Sequence, residues 1–287
     1  MKVLTVATKE KMSLVLLERR LKHSKLELIV AGMGKKWINF QLKLSSVFEF
    51  CENEIKENRG SEPFLFIDAY DVIIGNLDKS YYLELYEKYK KPIFASEVYN
   101  WPDKTLLYPE ANMKQKQPYL NSGCFLATPD DIYRLMIVNN FRDYTDDQLY
   151  WAHVYTRNPE WIQLDFDSKL CACLASFFTI PNSLFKMDKD LIFLETFKNP
   201  AILHFNGSSF IKGRMSHWYR FYNLPCTVEE YTRLDLENME KASEDRSAKD
   251  ILAKERLELQ DLQKKTRTRN LTFVAATAAL FLLLLKK

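Results

Sequence analysis

The chain has 287 residues and a formal net charge of +3, with 41 Lys and Arg against 38 Asp and Glu. The basic residues form no arm or stripe, so charge gives no support for a nucleic acid partner. With 19 Phe, 15 Tyr and only 7 Gly, the composition excludes a disordered or fibrous chain, and the length suits one fair-sized domain plus appendages.

In chain order, strand patterns are expected at Val3–Ala7, Leu26–Val30, Phe64–Ile67, Ile93–Ser96, Gly123–Ala127, Trp161–Leu164 and Ala201–His204. Helical patterns fall between them, near Met12–Leu21, Phe40–Ile55, Lys79–Lys90, Asp130–Val138 and Asp146–Tyr155. This alternation predicts an α/β layer structure with a mainly parallel sheet over residues 1–225. Ligands of such sheets bind beyond the carboxyl ends of the strands, where Thr5–Thr8 and Asp68–Asp71 would both lie. The N-terminal run Met1–Thr8 is strand-like and lacks the apolar stretch of a signal peptide. Cys51, Cys124, Cys171, Cys173 and Cys226 show no zinc spacing and read as reduced thiols of a cytosol-like compartment.

After Pro225 the character changes. Thr227-Val-Glu-Glu230 is a capping-box pattern that starts a charged helix, expected as a solvated stalk over residues 226–269. Its acids precede bases at i,i+4 in Glu237–Lys241, Asp245–Lys249 and Asp250–Lys254. Residues 270–287 are expected to be a C-terminal transmembrane tail anchor, with Leu271–Leu285 free of charge and flanked by Lys and Arg. A helix of that length reaches about 22 Å against a hydrocarbon core of about 30 Å, a gap that snorkelling lysines and local thinning can close. Lys264, Lys265, Arg267 and Arg269 before it would place the preceding domain in the cytosol.

The chemistry-bearing residues begin with Asp68 and Asp71, which follow the apolar run Phe64–Ile67. Two hard oxygen ligands at a strand end suit Mg²⁺ or Mn²⁺ bridging a diphosphate; the plain alternative is an acidic turn. His204, ending another strand before Asn206-Gly207, could add an imidazole ligand or be a satisfied structural histidine. Asn121-Ser122-Gly123, read as lying just before a strand, offers an amide for sugar hydroxyls and a glycine for close backbone approach. Thr145 is placed to cap a helix whose first turn carries Asp146 and Asp147, either of which could instead steer an acceptor hydroxyl. Trp101, beside Pro102, is a sugar-stacking platform or an edge plug, and Gly32-Met-Gly-Lys-Lys-Trp37 matches neither a P-loop nor GxGxxG. No hydrolase elbow or HExxH motif is present.

Seven segments, in order, carry a resemblance. They are Leu4–Glu10, Gly32-x-Gly-x-x-Trp37, Phe66-Ile-Asp-Ala-Tyr-Asp-Val72, Phe94–Glu97 with Trp101-Pro-Asp103, Leu120–Gly123, Asp146–Leu149 and His204-x-Asn-Gly207. Over roughly residues 1–223 the chain resembles the glycosyltransferase domain of procollagen lysyl hydroxylases and the related collagen galactosyltransferases. That resemblance implies a GT-A-type fold and retaining transfer of a hexose, glucose or galactose, from a UDP-sugar with Mn²⁺ or Mg²⁺ to a protein or glycan hydroxyl. It implies Asp68, Asp71 and His204 as metal ligands and Val6, Ala7, Thr8 and Tyr70 around the uridine. Asn206, Gly207 and the residues after them would line the diphosphate, and Trp101 would lie over the site. Trp37, Asn121, Asp146, Asp147 and Gln148 would face the sugar.

The chain departs from that pattern. The glycine-rich stretch after Trp37 is reduced to Ile38–Gln41, and the expected HGNG reads His204-Phe-Asn-Gly207. Phe210 replaces a lysine for which Lys212 could substitute, and Ala172 replaces a glutamine. Two other readings stay open: a degenerate transferase that holds a nucleotide sugar without turnover, and a membrane scaffold working through its charged helix.

Overall fold

The computed structural model describes residues 1–175, 185–188, 191–194, 200–207, 215, 219 and 226–244, with the backbone alone at 185–188, 191–194 and 238–244. Lys212 and the expected tail anchor lie outside these residues. Among the described residues, no helix is long and apolar enough to cross a membrane.

The strands are β1 (Lys2–Val6), β2 (Glu27–Ala31), β3 (Phe64–Ile67), β4 (Val72–Ile74), β5 (Ile93–Glu97) and β6 (Tyr119–Ala127). They continue with β7 (Gln163–Asp165), β8 (Cys171–Cys173), β9 (Phe185–Asp188), β10 (Leu191–Leu194) and β11 (Ile202–His204). The helices are α1 (Met12–Leu21), α2 (Gln41–Lys56), α3 (Lys79–Tyr89), α4 (Pro129–Val138), α5 (Asp147–Arg157) and α6 (Val228–Glu244). The main sheet runs β2-β1-β3-β6-β5-β8-β11-β4, with β7 paired to β5, while β9 and β10 form a separate antiparallel pair. The sheet is mixed. The expected parallel pairing holds for β1 with β2 and β3, and for β5, β7, β8 and β11. It fails where β6 runs antiparallel to β3 and β5, and where β4 runs antiparallel to β11.

Strand alternation divides the core between the two faces of the sheet. Leu65 and Ile67 of β3 join α1 and α3 on one side, while Phe64 and Phe66 join α2, α4 and α5 on the other. On that second side Phe125 stacks between Phe66 and Phe94, at 4.8 and 4.7 Å, and Trp151 of α5 closes over Phe94 at 4.9 Å. Several helices start where side chains satisfy the first turn: Asp78 for α3, and Thr128 followed by Pro129 for α4.

The path of the sheet creates the site. Strands β3 and β4 stand five pairings apart in the order, about 24 Å in a flat sheet. Only Asp68–Asp71 connect them, a span of at most about 18 Å. The sheet must therefore curl, and its two halves meet at those four residues. Backbone bonds fix both ends of the link: Asp68 N–H donates to Gly123 O at 2.8 Å, and Phe205 N–H to Asp71 O at 2.7 Å.

The beginning of α6 corrects the expectation of a wholly solvated stalk. Its capping box forms as read, with Glu230 N–H donating to Thr227 Oγ1 and Thr227 N–H to Glu230 Oε2. Glu230 also receives Arg19 of α1, and Glu237 Oε2 accepts the free N–H of Met12 at 2.9 Å, capping α1 from outside. Leu234 is buried against Met12 and Leu16. These turns dock because Leu234 meets the apolar face of α1 while Glu230 and Glu237 meet its Arg19 and its first N–H.

Candidate active site

Asp68, Asp71 and His204 converge at the point where the sheet closes. Nε2 of His204 lies 3.5 Å from Asp68 Oδ2 and 3.7 Å from Asp71 Oδ1, and one ligand atom from each residue falls within 4.8 Å of the others. His204 is 2% exposed, and its Nε2 is buried without a hydrogen-bond partner. Burial opposes charge on the ring, yet the two carboxylates raise the His204 pKa well above its ordinary value. The spacing needs Gly123: a Cβ there would stand 2.2 Å from His204 Cε1 and 2.8 Å from Asp68 Oδ2. An orphaned ring nitrogen, two acids and a glycine cradle fit a divalent cation held by Asp68, Asp71 and His204.

The Asn121-Ser122-Gly123 triplet lies inside β6, not before it. Pairing with β5 jumps from Phe94–Phe125 to Ala95–Asn121, so Ser122–Cys124 bulge out of that ladder. The bulge turns Gly123 to the imidazole and Ser122 to α5. Ser122 Oγ donates to Asp147 Oδ2 at 2.9 Å, and Ser122 N–H to Gln148 Oε1 at 2.9 Å. Asp146 is the residue that caps α5, accepting from Leu149 N–H at 2.8 Å, a role expected of Thr145.

Two buried ionisable residues complete the site, and neither was singled out from sequence. Lys43 of α2 bridges Asp68 at 2.7 Å and Asp147 at 2.8 Å. Burial works against its charge, but Asp147 and Asp68 together raise its pKa. For Asp68, burial opposes ionisation and Lys43 with His204 prevails, holding the carboxyl below its ordinary range. For Asp147 burial prevails over Lys43, and its pKa rises. Glu97, at the end of β5, gathers three amides: Asn121 Nδ2 at 3.0 Å, Gln148 Nε2 at 2.5 Å and Asn206 Nδ2 at 2.9 Å. Burial raises its pKa against the pull of those amides. A signal existed for Lys43, which interrupts the buried stripe Leu44, Val47, Phe48 and Cys51 of α2. Glu97 closes an otherwise buried strand, which was its only mark.

The remaining expected residues fall into three groups. Thr8 and Tyr70 lie at the same sheet edge, where Tyr70 O–H donates to Lys9 O at 2.7 Å and Lys11 Nζ stands 4.9 Å from its ring centre. The side chains of Val6 and Ala7 are buried in the core. Gly32, at φ +83°, crosses directly over Val6 and Ala7 and carries the loop to Trp37. Trp37 is exposed and packs edge-on against Phe40, whose ring lies 5.6 Å from Lys43 Nζ. Trp101 is 59% exposed on the loop leaving β5 after Glu97. Asn206 is buried, its Oδ1 accepting from Ala175 N–H at 3.0 Å, and Gly207 follows at φ +102°.

Comparison with known proteins assigns this curled α/β sheet, with its acid–acid–histidine corner, to a glycosyltransferase-type domain. The chain belongs to the family of the PLOD GT domain, whose model matches residues 1–218. It is similar to procollagen-lysine,2-oxoglutarate 5-dioxygenase of Drosophila melanogaster, at 30% identity over 82% of this chain and 35% of that protein. It is also similar to the multifunctional procollagen lysine hydroxylase and glycosyltransferase of Caenorhabditis elegans, at 26% identity over 58% of this chain and 24% of that protein. The chain thus spans about a third or less of the length of these relatives. Among solved structures, a glycosyltransferase involved in glycosylation of the major capsid of PBCV-1 superposes with a TM-score of 0.46 at 12% identity, covering 75% of this chain and 98% of that one.

Proposed function

We propose that the chain is a GT-A-type transferase that moves a hexose from a UDP-sugar to a hydroxyl of a protein or glycan, with retention, using Mn²⁺ or Mg²⁺. The observation that carries this reading is the buried, unpartnered Nε2 of His204 aimed at Asp68 and Asp71 across Gly123. A cation bound there would neutralise charge on the departing diphosphate.

The chain's own residues supply the rest. The exposed loop from Gly32 to Trp37 and the ring of Tyr70 border the edge where a uridine would lie, beside the backbone of Val6–Thr8. Gly207 at positive φ lets backbone approach the diphosphate, and Lys212 could substitute as a phosphate contact for the lysine that Phe210 replaces. Glu97 orients the amides of Asn121, Gln148 and Asn206, so that sugar hydroxyls would meet fixed donors and acceptors. Lys43 locks Asp147 beside Asp68, placing the sugar-facing carboxylate next to the metal corner. Asp146 caps α5 and would act by placing Asp147 and Gln148. The charge-free run 271–285 supports a membrane tether, and the lysines and arginines before it support a domain facing the cytosol.

The test is a donor screen of the full chain, following UDP release from a panel of UDP-hexoses with Mn²⁺ and with chelator. Release from one donor, lost on chelation, is expected. If every UDP-hexose stays intact with Mn²⁺ and candidate acceptors present, the transferase reading falls.

A further inference from the structure

The other ring nitrogen of His204 faces ligands of a different kind. Cys171 and Cys173 stand two residues apart on β8, so their side chains share one face. Parallel pairing of β8 with β11 sets Cys173 directly across from His204, and Cys173 Sγ lies 3.9 Å from Nδ1. The two sulfurs and a His204 ring nitrogen fall within 4.8 Å of one another. Cys124 of β6 adds a further buried thiol, and all three cysteines are buried and in no disulfide. The imidazole therefore stands between a hard, all-oxygen pair and a soft, all-sulfur pair.

We propose that Cys171, Cys173 and Nδ1 of His204 form a second cation site, selective for a thiophilic divalent ion of the Zn²⁺ or Cd²⁺ class, whose occupation silences the site at Asp68 and Asp71. The proposal deepens the reading of Asp68, Asp71 and His204 as metal ligands and rests on it. Ligand softness separates the two sites: thiolates select Zn²⁺ and its heavier relatives, and carboxylates select Mg²⁺ and Mn²⁺. Two thiols lose their protons to solvent, and two thiolates cancel the double positive charge, so the buried complex is neutral. A neutral imidazole has one lone pair in its ring plane to give. Once Nδ1 gives it, the proton resides on Nε2, which then donates toward Asp68 and Asp71 and cannot ligate there. One histidine thus serves one cation at a time. Asp68, with its side chain 24% exposed, marks the side from which an ion would come.

The metal-free full chain is titrated with Cd²⁺, reading the sulfur-to-cadmium charge-transfer band, and separately with Mn²⁺, reading bound ion by electron paramagnetic resonance. One equivalent of Cd²⁺ is expected to saturate the band and to weaken Mn²⁺ binding by roughly 10–100-fold. In Cys171→Ser/Cys173→Ser the band disappears and Mn²⁺ binding withstands Cd²⁺. Should the serine pair not fold, Cys171→Ala/Cys173→Ala gives the same comparison. A wild-type chain without the band, or a band undiminished in both double variants, overturns the soft site. Equal displacement of Mn²⁺ from wild type and variant overturns the antagonism. A wild-type chain that forms the band but binds no Mn²⁺ before Cd²⁺ is added removes the Asp68–Asp71–His204 reading instead, and the antagonism with it.

Discussion

Two clusters of buried charge lie on the same domain and differ in how they are finished. Glu54 of α2 is enclosed by donors: Lys2 Nζ at 2.6 Å, and Arg59 Nε and a terminal guanidinium nitrogen at 2.7 and 2.9 Å. Both carboxylate oxygens are engaged, and its partners are half-exposed, so the cluster ties β1 to α2 and leaves nothing to bind. At Asp68, Asp71 and His204 the geometry stops short. Nε2 sits 3.5 and 3.7 Å from the acids, beyond a good hydrogen bond, and remains unsatisfied inside the protein. A folded chain tolerates such an open corner when something else is meant to fill it.

The sharpest way to break this contrast is to remove a ligand. Asp71→Asn is expected to reduce metal-dependent turnover by more than about 100-fold and to abolish saturable Mn²⁺ binding, without unfolding the domain. Retained Mn²⁺ binding in that variant would erase the distinction between the two clusters. Gly123→Ala probes the same corner sterically. Its Cβ meets the imidazole at 2.2 Å, so a loss of Mn²⁺ affinity is expected with the ligands intact.

The next largest effect is expected at Lys43, which belongs to both worlds: a satisfied ion bridge that also borders the open corner. Lys43→Met leaves Asp68 and Asp147 facing each other without a cation and should destabilise the fold by about 3 kcal/mol in denaturant unfolding. Adding Asp147→Asn should return part of that loss. If the double variant is no more stable than the single one, Lys43 does not act through Asp147.

These two clusters also show what the sequence reveals. Asp68, Asp71 and His204 were legible because strand ends carry them, and five helices were placed to within a residue or two by apolar periodicity. Lys43 and Glu97 were not, because a buried charge announces itself only through partners: Asp147 lies 104 positions from Lys43, and Asn206 lies 109 from Glu97. Strands β4 and β8, three residues each, are too short to show alternation, and they form because β11 pairs with both. The bulge in β6 was missed for a related reason. It packs Gly123 against His204, 81 positions away, and the triplet by itself shows only that a glycine allows a close approach.

The smallest expected effect comes from the finished cluster and is read in pH. Hydrogen bonds from Arg59, and then from Lys2, outweigh burial and hold the Glu54 pKa below its ordinary value. A carboxylate whose folded pKa is depressed binds fewer protons folded than unfolded. Its stabilisation is therefore complete above the ordinary glutamate range, near pH 4.3, and is lost as pH falls through the lower folded value. Glu54→Gln should lower the melting temperature by a few degrees at neutral pH, and the gap from wild type should narrow as pH falls below 4.3. Turnover and Mn²⁺ binding should stay at wild-type levels, since Glu54 touches neither Asp68 nor His204. A gap that persists unchanged down to strongly acidic pH would mean that packing of the Glu54 side chain, not its charge, holds β1 to α2.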